Sequence, residues 1–193
     1  LSSEGNYKDG KEDGIHKQYY ENGQLWYETN YKDGKKDGLL IWYWDNGQLG
    51  SKGNYKDGKL EGLYKRYYTN GQLSIDGNNK NHRNEGLWKY YHKNGQLRSE
   101  GNYKDGKEEG LWKSYHKNGQ LRCEENYIEG ELITQKCWDE DGQVKEEENI
   151  KDVNKEKVWK LYYDNGQLRI EGNSKDGKME GIWKVYYDNG QLK

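Results

Sequence analysis

The sequence predicts an all-β fold: an elongated single-layer antiparallel β-meander, a repeat array of about eight two-stranded hairpins, twisted or gutter-shaped. Three observations predict it. A motif recurs about every 24 residues, each copy contains two glycine turns, and aromatic residues take the place of an aliphatic core. Stacked in chain order, about 16 strands roughly 4.8 Å apart would extend about 75 Å.

The first turn of the repeat is the string Asn-Gly-Gln-Leu, with the variant Asp-Gly-Gln-Val in the sixth copy. The spacing of its glycines is 24 residues, except for one interval of 23 between Gly119 and Gly142. This regularity predicts a single array over residues 1–193, with units at about 5–28, 29–52, 53–76, 77–100, 101–124, 125–147, 148–171 and 172–193. The structural turn glycines are Gly23, Gly47, Gly71, Gly95, Gly119, Gly142, Gly166 and Gly190.

A second turn, Lys-Asp-Gly-Lys, lies half a period away, at Lys8–Lys11, Lys32–Lys35, Lys56–Lys59, Lys104–Lys107 and Lys175–Lys178. Asn-Gly and Asp-Gly both favour the type I′ hairpin turn, in which the two central residues have positive φ. Two such turns in each copy leave room for two short strands. The fourth copy loses this glycine in Asn81-His82-Arg83-Asn84, and the seventh has Val153 in its place.

The strand before each Asn-Gly-Gln turn carries Trp and Tyr three residues apart, as in Trp88 and Tyr91 or Trp112 and Tyr115. A regular strand places such residues on opposite faces of the sheet. Either a bulge in this strand or burial on both faces would explain the spacing, and the sequence does not decide between them. The strand after the turn alternates regularly, with a glycine such as Gly101 that indicates a bulge or close packing.

The composition argues against several function classes. Only 30% of the residues are hydrophobic, but 8 Trp and 19 Tyr are more than a disordered chain would have. The net charge of −2 and the mixed charges give no basic stripe for nucleic acid. No apolar run is long enough for a transmembrane segment.

The two cysteines are predicted to face each other. Cys123 and Cys137 flank a turn centred on Glu129-Gly130, and in a hairpin closed there they are opposite or nearly so. This is within reach of a disulfide. Two free thiols in a reducing compartment are the alternative. The localisation therefore stays open: a disulfide favours a secreted or cell-surface protein, and free thiols favour a cytoplasmic one.

The sequence predicts no catalytic, metal or cofactor site. The four histidines are His16, His82, His92 and His116, and the last two are one repeat apart, roughly 10 Å in such an array, too far to share a zinc ion. The carboxylates recur with the repeat, as expected for a solvated face, whereas a catalytic pair would be singular. The glycine strings do not open a helix, so they do not predict a phosphate loop.

Two aromatic rows follow the repeat. The first, from Tyr19 to Tyr186, is aromatic in every copy and is interpreted as a packing spine. The next position varies, which is typical of a recognition surface on a fixed scaffold, although ordinary surface aromatics would look the same. This possible binding surface consists of Tyr20, Trp44, Tyr68, His92, His116, Tyr163 and Tyr187.

Strings such as Gly-Leu-Trp-Lys-Tyr-Tyr-His-Lys-Asn-Gly-Gln-Leu-Arg-Ser-Glu-Gly resemble the MORN repeat family, and more closely its bacterial variant. The resemblance covers nearly the whole chain. It implies a sheet of consecutive hairpins that serves as a scaffold for protein interaction or assembly, with phospholipid binding or an antitoxin-like role in some members. The family's motif is structural and implies no catalytic residues.

The function that we expect is a non-catalytic scaffold for protein–protein interaction, in an exported or surface-associated bacterial protein. The partner would be another protein, and the exposed end strands allow edge pairing into a homodimer. An alternative is a carbohydrate or cell-wall binding module, because choline- and glucan-binding repeats also combine Trp, paired Tyr and Asp-Gly turns. An antitoxin-like partner of a toxin is the other alternative.

Overall fold

The fold is an open antiparallel β-meander. The structure, a computed structural model, describes residues 2–150, 156–176 and 178–193. In this part of the chain one sheet contains 16 strands in sequence order, as the repeat predicted, and no helix is long and apolar enough to cross a membrane. The strands are β1 (Ser2–Lys8), β2 (Lys11–Tyr19), β3 (Leu25–Lys32), β4 (Lys35–Tyr43), β5 (Leu49–Lys56), β6 (Lys59–Tyr67), β7 (Leu73–Lys80), β8 (Arg83–Tyr91), β9 (Leu97–Lys104), β10 (Lys107–Tyr115), β11 (Leu121–Ile128), β12 (Glu131–Trp138), β13 (Val144–Ile150), β14 (Glu156–Tyr162), β15 (Leu168–Lys175) and β16 (Lys178–Val185).

The chain divides into two compact units. The first comprises Leu1–Gln96 and Tyr103–Gly106, and the second comprises Leu97–Asn102 and Lys107–Lys193. The first unit therefore contains β1 to β8, and the second contains β10 to β16. Within each unit, sequential strands pair as antiparallel hairpins.

The Lys-Asp-Gly-Lys turns have the predicted type I′ geometry. In the second copy φ is 49° at Asp33 and 80° at Gly34, and the two residues join their strands directly. The fourth copy keeps this geometry without glycine, with φ at 51° for Asn81 and 69° for His82. The turns from Gly34 to Gly130 are also tied to the preceding copy; for example, the Gly34 N–H donates to the Glu12 carbonyl oxygen at 2.8 Å. The turns at Val153 and Gly177 lie outside the described residues.

The Asn-Gly-Gln turns are not type I′, and that prediction was wrong. The connection from β2 to β3 has five residues, and of its central pair only Gly23, with φ of 80°, has a positive φ. The Gly23 N–H donates to the Tyr20 carbonyl oxygen at 2.9 Å, and the Tyr20 N–H donates to the Gln24 carbonyl oxygen at 2.8 Å. The Asn22 side chain accepts from the Gln24 N–H at 3.0 Å, so Asn caps the loop with its side chain and does not need the left-handed region.

The Trp and Tyr three residues apart are explained by burial on both faces of the sheet. Trp88 lies over Gly77, where an added Cβ would overlap the indole ring, and its Nε1–H donates to the Asn78 carbonyl oxygen at 3.0 Å. The same arrangement recurs in the second unit with Trp112 over Gly101. We call this side the tryptophan face. A glycine is required there because any side chain would occupy the space of the ring.

The opposite side, which we call the lysine face, carries the constant tyrosine row and a periodic set of ion pairs. Tyr19 Oη donates to Glu4 Oε1 at 2.5 Å, and Lys65 Nζ lies 2.6 Å from Asp76 Oδ2. The second unit repeats this pattern, with Lys113 Nζ 3.3 Å from Glu124 Oε1. The periodic carboxylates are thus partners of lysine and tyrosine within the sheet.

The sixth copy is irregular because its bulge is smaller. In the second copy Asn30 faces three residues, Asp37 to Leu39, and the central one is a glycine with φ of 117°. In the sixth copy the pairs Asn126↔Thr134 and Tyr127↔Leu132 leave a single extra residue, Ile133. The one-residue deletion that shortens this copy therefore falls in the bulge, and the pairing on either side of it is kept.

Candidate functional site

The two cysteines lie directly opposite each other on β11 and β12, the register that the turn between them predicted. Their Cα atoms are 4.1 Å apart, and the structure joins the two Sγ atoms in a disulfide. Cys123 is buried, and the Gln135 side-chain amide donates to Cys137 Sγ at 3.2 Å. The bond cross-links the hairpin of β11 and β12, which joins the end of the fifth copy to the irregular sixth copy.

The possible binding surface of the sequence analysis turns out to be largely committed to the backbone. A side-chain donor reaches a carbonyl oxygen one repeat ahead in the pairs Tyr20 to Tyr43, Trp44 to Tyr67, Tyr68 to Tyr91, His116 to Trp138 and Tyr163 to Tyr186, at 2.7–3.2 Å. Tyr, Trp and His differ in size and shape, but each carries an O–H or N–H group on its ring that can donate this hydrogen bond. His92 is half-buried, and Tyr187 in the last copy is exposed. We call these seven residues the turn row.

The eight glycines of the Asn-Gly-Gln turns all have φ between 79° and 88°, where an L side chain is strained. The turns are also linked between copies. Asn22 Nδ2 donates to the Asp45 carbonyl oxygen at 3.1 Å, and Asn46 and Asn70 do the same one repeat further on. Their role is to hold consecutive copies together.

A different row of the tryptophan face carries a candidate site. In the first unit five residues on five consecutive strands face one another directly, in the order Gln18, Tyr27, Trp42, Ser51 and Arg66. We call these five residues the central row. Every side chain in the row differs from its neighbours.

The central row forms the floor of an open depression of about 570 Å³. Leu40, Tyr64 and Lys36 line it together with Trp26. The Trp42 ring lies over Gly50, where a Cβ would overlap it, and meets Trp44 edge to face at 4.3 Å between ring centroids. In the second copy Leu40 stands at the position that Trp88 and Trp112 occupy in later copies. The indole that covers a glycine is therefore Trp42, two residues further along the strand and in the central row.

The depression has aromatic walls and a cation beside them. Lys36 Nζ lies 5.5 Å from the ring centroids of both Tyr27 and Tyr55, within the range of cation–π attraction. Burial, together with a 3.0 Å hydrogen bond to the Tyr31 hydroxyl, raises the pKa of Tyr27. Burial likewise raises the pKa of Tyr55. Both rings are half-buried, and both hydroxyls keep their protons at ordinary pH.

Sequence reasoning missed this site, although a signal for it was present. At the position of Trp42 all eight copies differ: Gln18, Trp42, Arg66, Tyr90, Ser114, Cys137, Leu161 and Val185. At the position of Trp26 the other copies have small or basic residues: Gly50, Ser74, Arg98, Arg122, Lys145, Arg169 and Lys193. When a position varies completely inside a regular repeat, the fold does not constrain which residue occupies it.

The family model of the MORN repeat variant matches eight consecutive segments of the chain, residues 12–33, 36–57, 60–81, 84–105, 108–129, 132–152, 155–176 and 179–193. The chain belongs to this MORN repeat family. Each complete match centres on an Asn-Gly-Gln turn of the MORN array, or on its Asp-Gly-Gln variant in the sixth copy. No curated protein matches the chain.

The chemistry of the array is that of a scaffold, as is typical of MORN repeats. The histidines serve the fold: His16 Nε2 donates to the Asn6 carbonyl oxygen at 2.7 Å, and His82 Nδ1 accepts from the Leu60 N–H at 2.7 Å. Among the described residues no group of three or more His, Cys, Asp or Glu side chains is arranged to hold a metal ion. What the central row offers instead is a set of half-buried rings and hydrogen-bond donors.

Proposed function

We propose that this MORN repeat protein is a non-catalytic scaffold that binds another protein, and that the binding surface is the depression over the central row. The observation that carries the proposal is the half-buried cluster of Trp26, Tyr27 and Trp42 beside the exposed Arg66. Trp, Tyr and Arg are the residues that dominate binding energy at protein interfaces. Most residues of the turn row and of the constant tyrosine row in the described part of the chain are engaged within the array instead.

An antitoxin-like role would be one form of this function, with a toxin as the bound protein. A carbohydrate-binding module is the second candidate, because Trp42 and Trp26 offer flat rings beside the polar side chains of Gln18 and Ser51. Lipid binding has less support, since a net charge of −2 gives no general attraction to anionic membranes.

The test compares two baits in a pull-down from cells of the source organism, quantified by mass spectrometry. Trp42→Ala removes the central ring, and Tyr67→Ala removes a half-buried ring on the lysine face as a matched control. We expect a protein that is enriched at least tenfold by the wild type and by Tyr67→Ala and is lost with Trp42→Ala. Equal recovery with all three baits would contradict the proposed surface. Binding to a glycan array that depends on Trp42 would favour the carbohydrate function.

A further inference from the structure

The polar groups that the depression leaves unpaired are hydrogen-bond donors. In the described part of the chain neither Trp26 Nε1–H nor Trp42 Nε1–H has an acceptor in the protein, and no carboxylate lies within 4.0 Å of Lys36 or Arg66. Five of the other six indoles behave differently, and Trp138 alone among these six has no acceptor in the described part of the chain. Acceptors are found for the Nε1–H groups of Trp44, Trp88, Trp112, Trp159 and Trp183.

The depression and the lysine face differ in how their positive charges are balanced. There Lys17 and Lys65 lie 3.4 Å and 2.6 Å from carboxylates on the neighbouring strand. The carboxylate of Glu12, which adds to the raised pKa of Tyr27, lies 3.8 Å from His16 Nδ1. Lys36 and Arg66 therefore leave a local positive charge on a protein whose net charge is negative.

The surroundings of Lys36 strengthen any ion pair formed there. Its side chain is half-buried between the rings of Tyr27 and Tyr55, which are themselves half-buried. A carboxylate that binds in such a place is attracted more strongly than one at a fully hydrated surface. Arg66 is exposed at the end of the central row and can bind a carboxylate with two parallel hydrogen bonds.

The shape of the depression favours a chain segment over a small molecule. Its volume of about 570 Å³ is in the range of ligand pockets, roughly 300–1,000 Å³, which usually cover about 70–90% of their ligand. This depression is open, so it would cover one side of a ligand only. A peptide can lie across it, with an apolar side chain on the indole rings and its carbonyl groups near the indole N–H donors. A neutral glycan would leave both cations unmatched.

We propose that the depression binds an acidic peptide segment of a partner protein, in which carboxylates pair with Lys36 and Arg66 and a neighbouring apolar side chain packs on Trp26 and Trp42. This inference rests on the proposed function and names the chemistry of the partner. The indole N–H groups are additional donors to the peptide carbonyl or carboxylate oxygens.

The test begins with a displayed library of random twelve-residue peptides selected on the intact protein. We expect the enriched peptides to combine Asp or Glu with Leu, Phe or Tyr. Their affinity, measured by calorimetry, should fall at least tenfold in the double variant Lys36→Ala/Arg66→Ala. The matched control is Lys52→Ala/Lys93→Ala, which removes the same charge from two exposed lysines outside the depression and should change the affinity less than twofold. Circular dichroism confirms that each variant is folded.

The outcomes separate the two proposals. Peptides without acidic residues that still require Trp42 would overturn the acidic partner and leave the protein-binding function standing. Peptides that bind Trp42→Ala as well as the wild type would overturn both. An array of neutral and acidic oligosaccharides is the remaining arm, and glycan binding that requires Trp42 without any peptide binding would overturn the peptide as ligand. Acidic peptides should also bind more weakly in 0.5 M than in 0.05 M salt, because screening reduces ion pairing.

Discussion

Trp88 and Trp42 lie on the same face of the same unit and each covers a glycine, yet they differ in burial and in hydrogen bonding. Trp88 is 5% exposed, lies over Gly77 and donates its N–H to a backbone oxygen at 3.0 Å. Trp42 is half-exposed and lies over Gly50, and its N–H has no acceptor among the described residues. The first indole holds neighbouring strands together, while the second has bonding capacity left for another molecule. A tryptophan in this array is therefore structural or functional according to its row.

The largest expected effect is the difference in stability between two truncations. Trp88→Ala should lower the free energy of unfolding by about 3–5 kcal/mol, because it leaves a cavity and an unpaired backbone oxygen. Trp42→Ala should cost about 1–2 kcal/mol, since a half-exposed ring loses less apolar burial. Urea denaturation followed by circular dichroism measures both. Equal losses of unfolding free energy in the two variants would contradict the distinction between a structural and a functional tryptophan.

The sixth copy extends the comparison, because the same row of the repeat holds Cys137 there instead of Trp42. Reduction of the disulfide should cost about 3 kcal/mol, the effect of opening a loop of about 15 residues. Urea denaturation with and without reductant measures it, and the variant Cys123→Ser/Cys137→Ser should be insensitive to reductant. Two thiols titrated in the denatured, unreduced protein would show that the bond is absent and would favour a reducing compartment.

The two glycines beneath the indoles sharpen the comparison further. Gly77→Ala should cost about 1–3 kcal/mol, because the buried Trp88 ring has no room to move. Gly50→Ala should cost less than about 1 kcal/mol, since the half-exposed Trp42 ring can turn into solvent. The same turn should remove the ring from the depression and weaken peptide binding at least tenfold. Full affinity in a folded Gly50→Ala variant would argue against the depression as the binding site.

The smallest effect concerns the turn row. Tyr68→Phe removes the hydroxyl that donates to the Tyr91 carbonyl oxygen at 2.7 Å and should cost about 1 kcal/mol, with peptide affinity unchanged. The matched control is Tyr187→Phe, because the exposed Tyr187 hydroxyl has no acceptor in the described part of the chain. A loss of peptide affinity in Tyr68→Phe would indicate that the turn row is part of the binding surface.

The repeat period was enough to predict the array of hairpins, the type I′ geometry at Asp33-Gly34, and the register of Cys123 and Cys137. These features depend on local turn chemistry and on counting residues from a turn, both of which a sequence contains. The five-residue Asn-Gly-Gln loops were not predicted, because Asn22 has two ways to satisfy a turn and only the hydrogen bonds show which one is used.

The binding surface was harder to predict, because it depends on contacts between copies. The turn row varies in residue type, which suggested recognition, but its polar hydrogens bind carbonyl oxygens one repeat ahead. The central row was overlooked because Gln18, Trp42 and Arg66 share no property within one strand. They become a surface only when the register places them side by side with Tyr27 and Ser51.

The most direct test of the central claim is an NMR titration of the tryptophan indole N–H signals with a selected acidic peptide. The chain has 8 Trp, and the variants Trp26→Phe and Trp42→Phe assign the two signals of interest. Our account predicts that these two signals shift on binding while those of Trp88 and Trp112, whose N–H groups are already bonded to backbone oxygens, stay in place. Shifts confined to other tryptophans, or binding with no shift at Trp26 and Trp42, would contradict it.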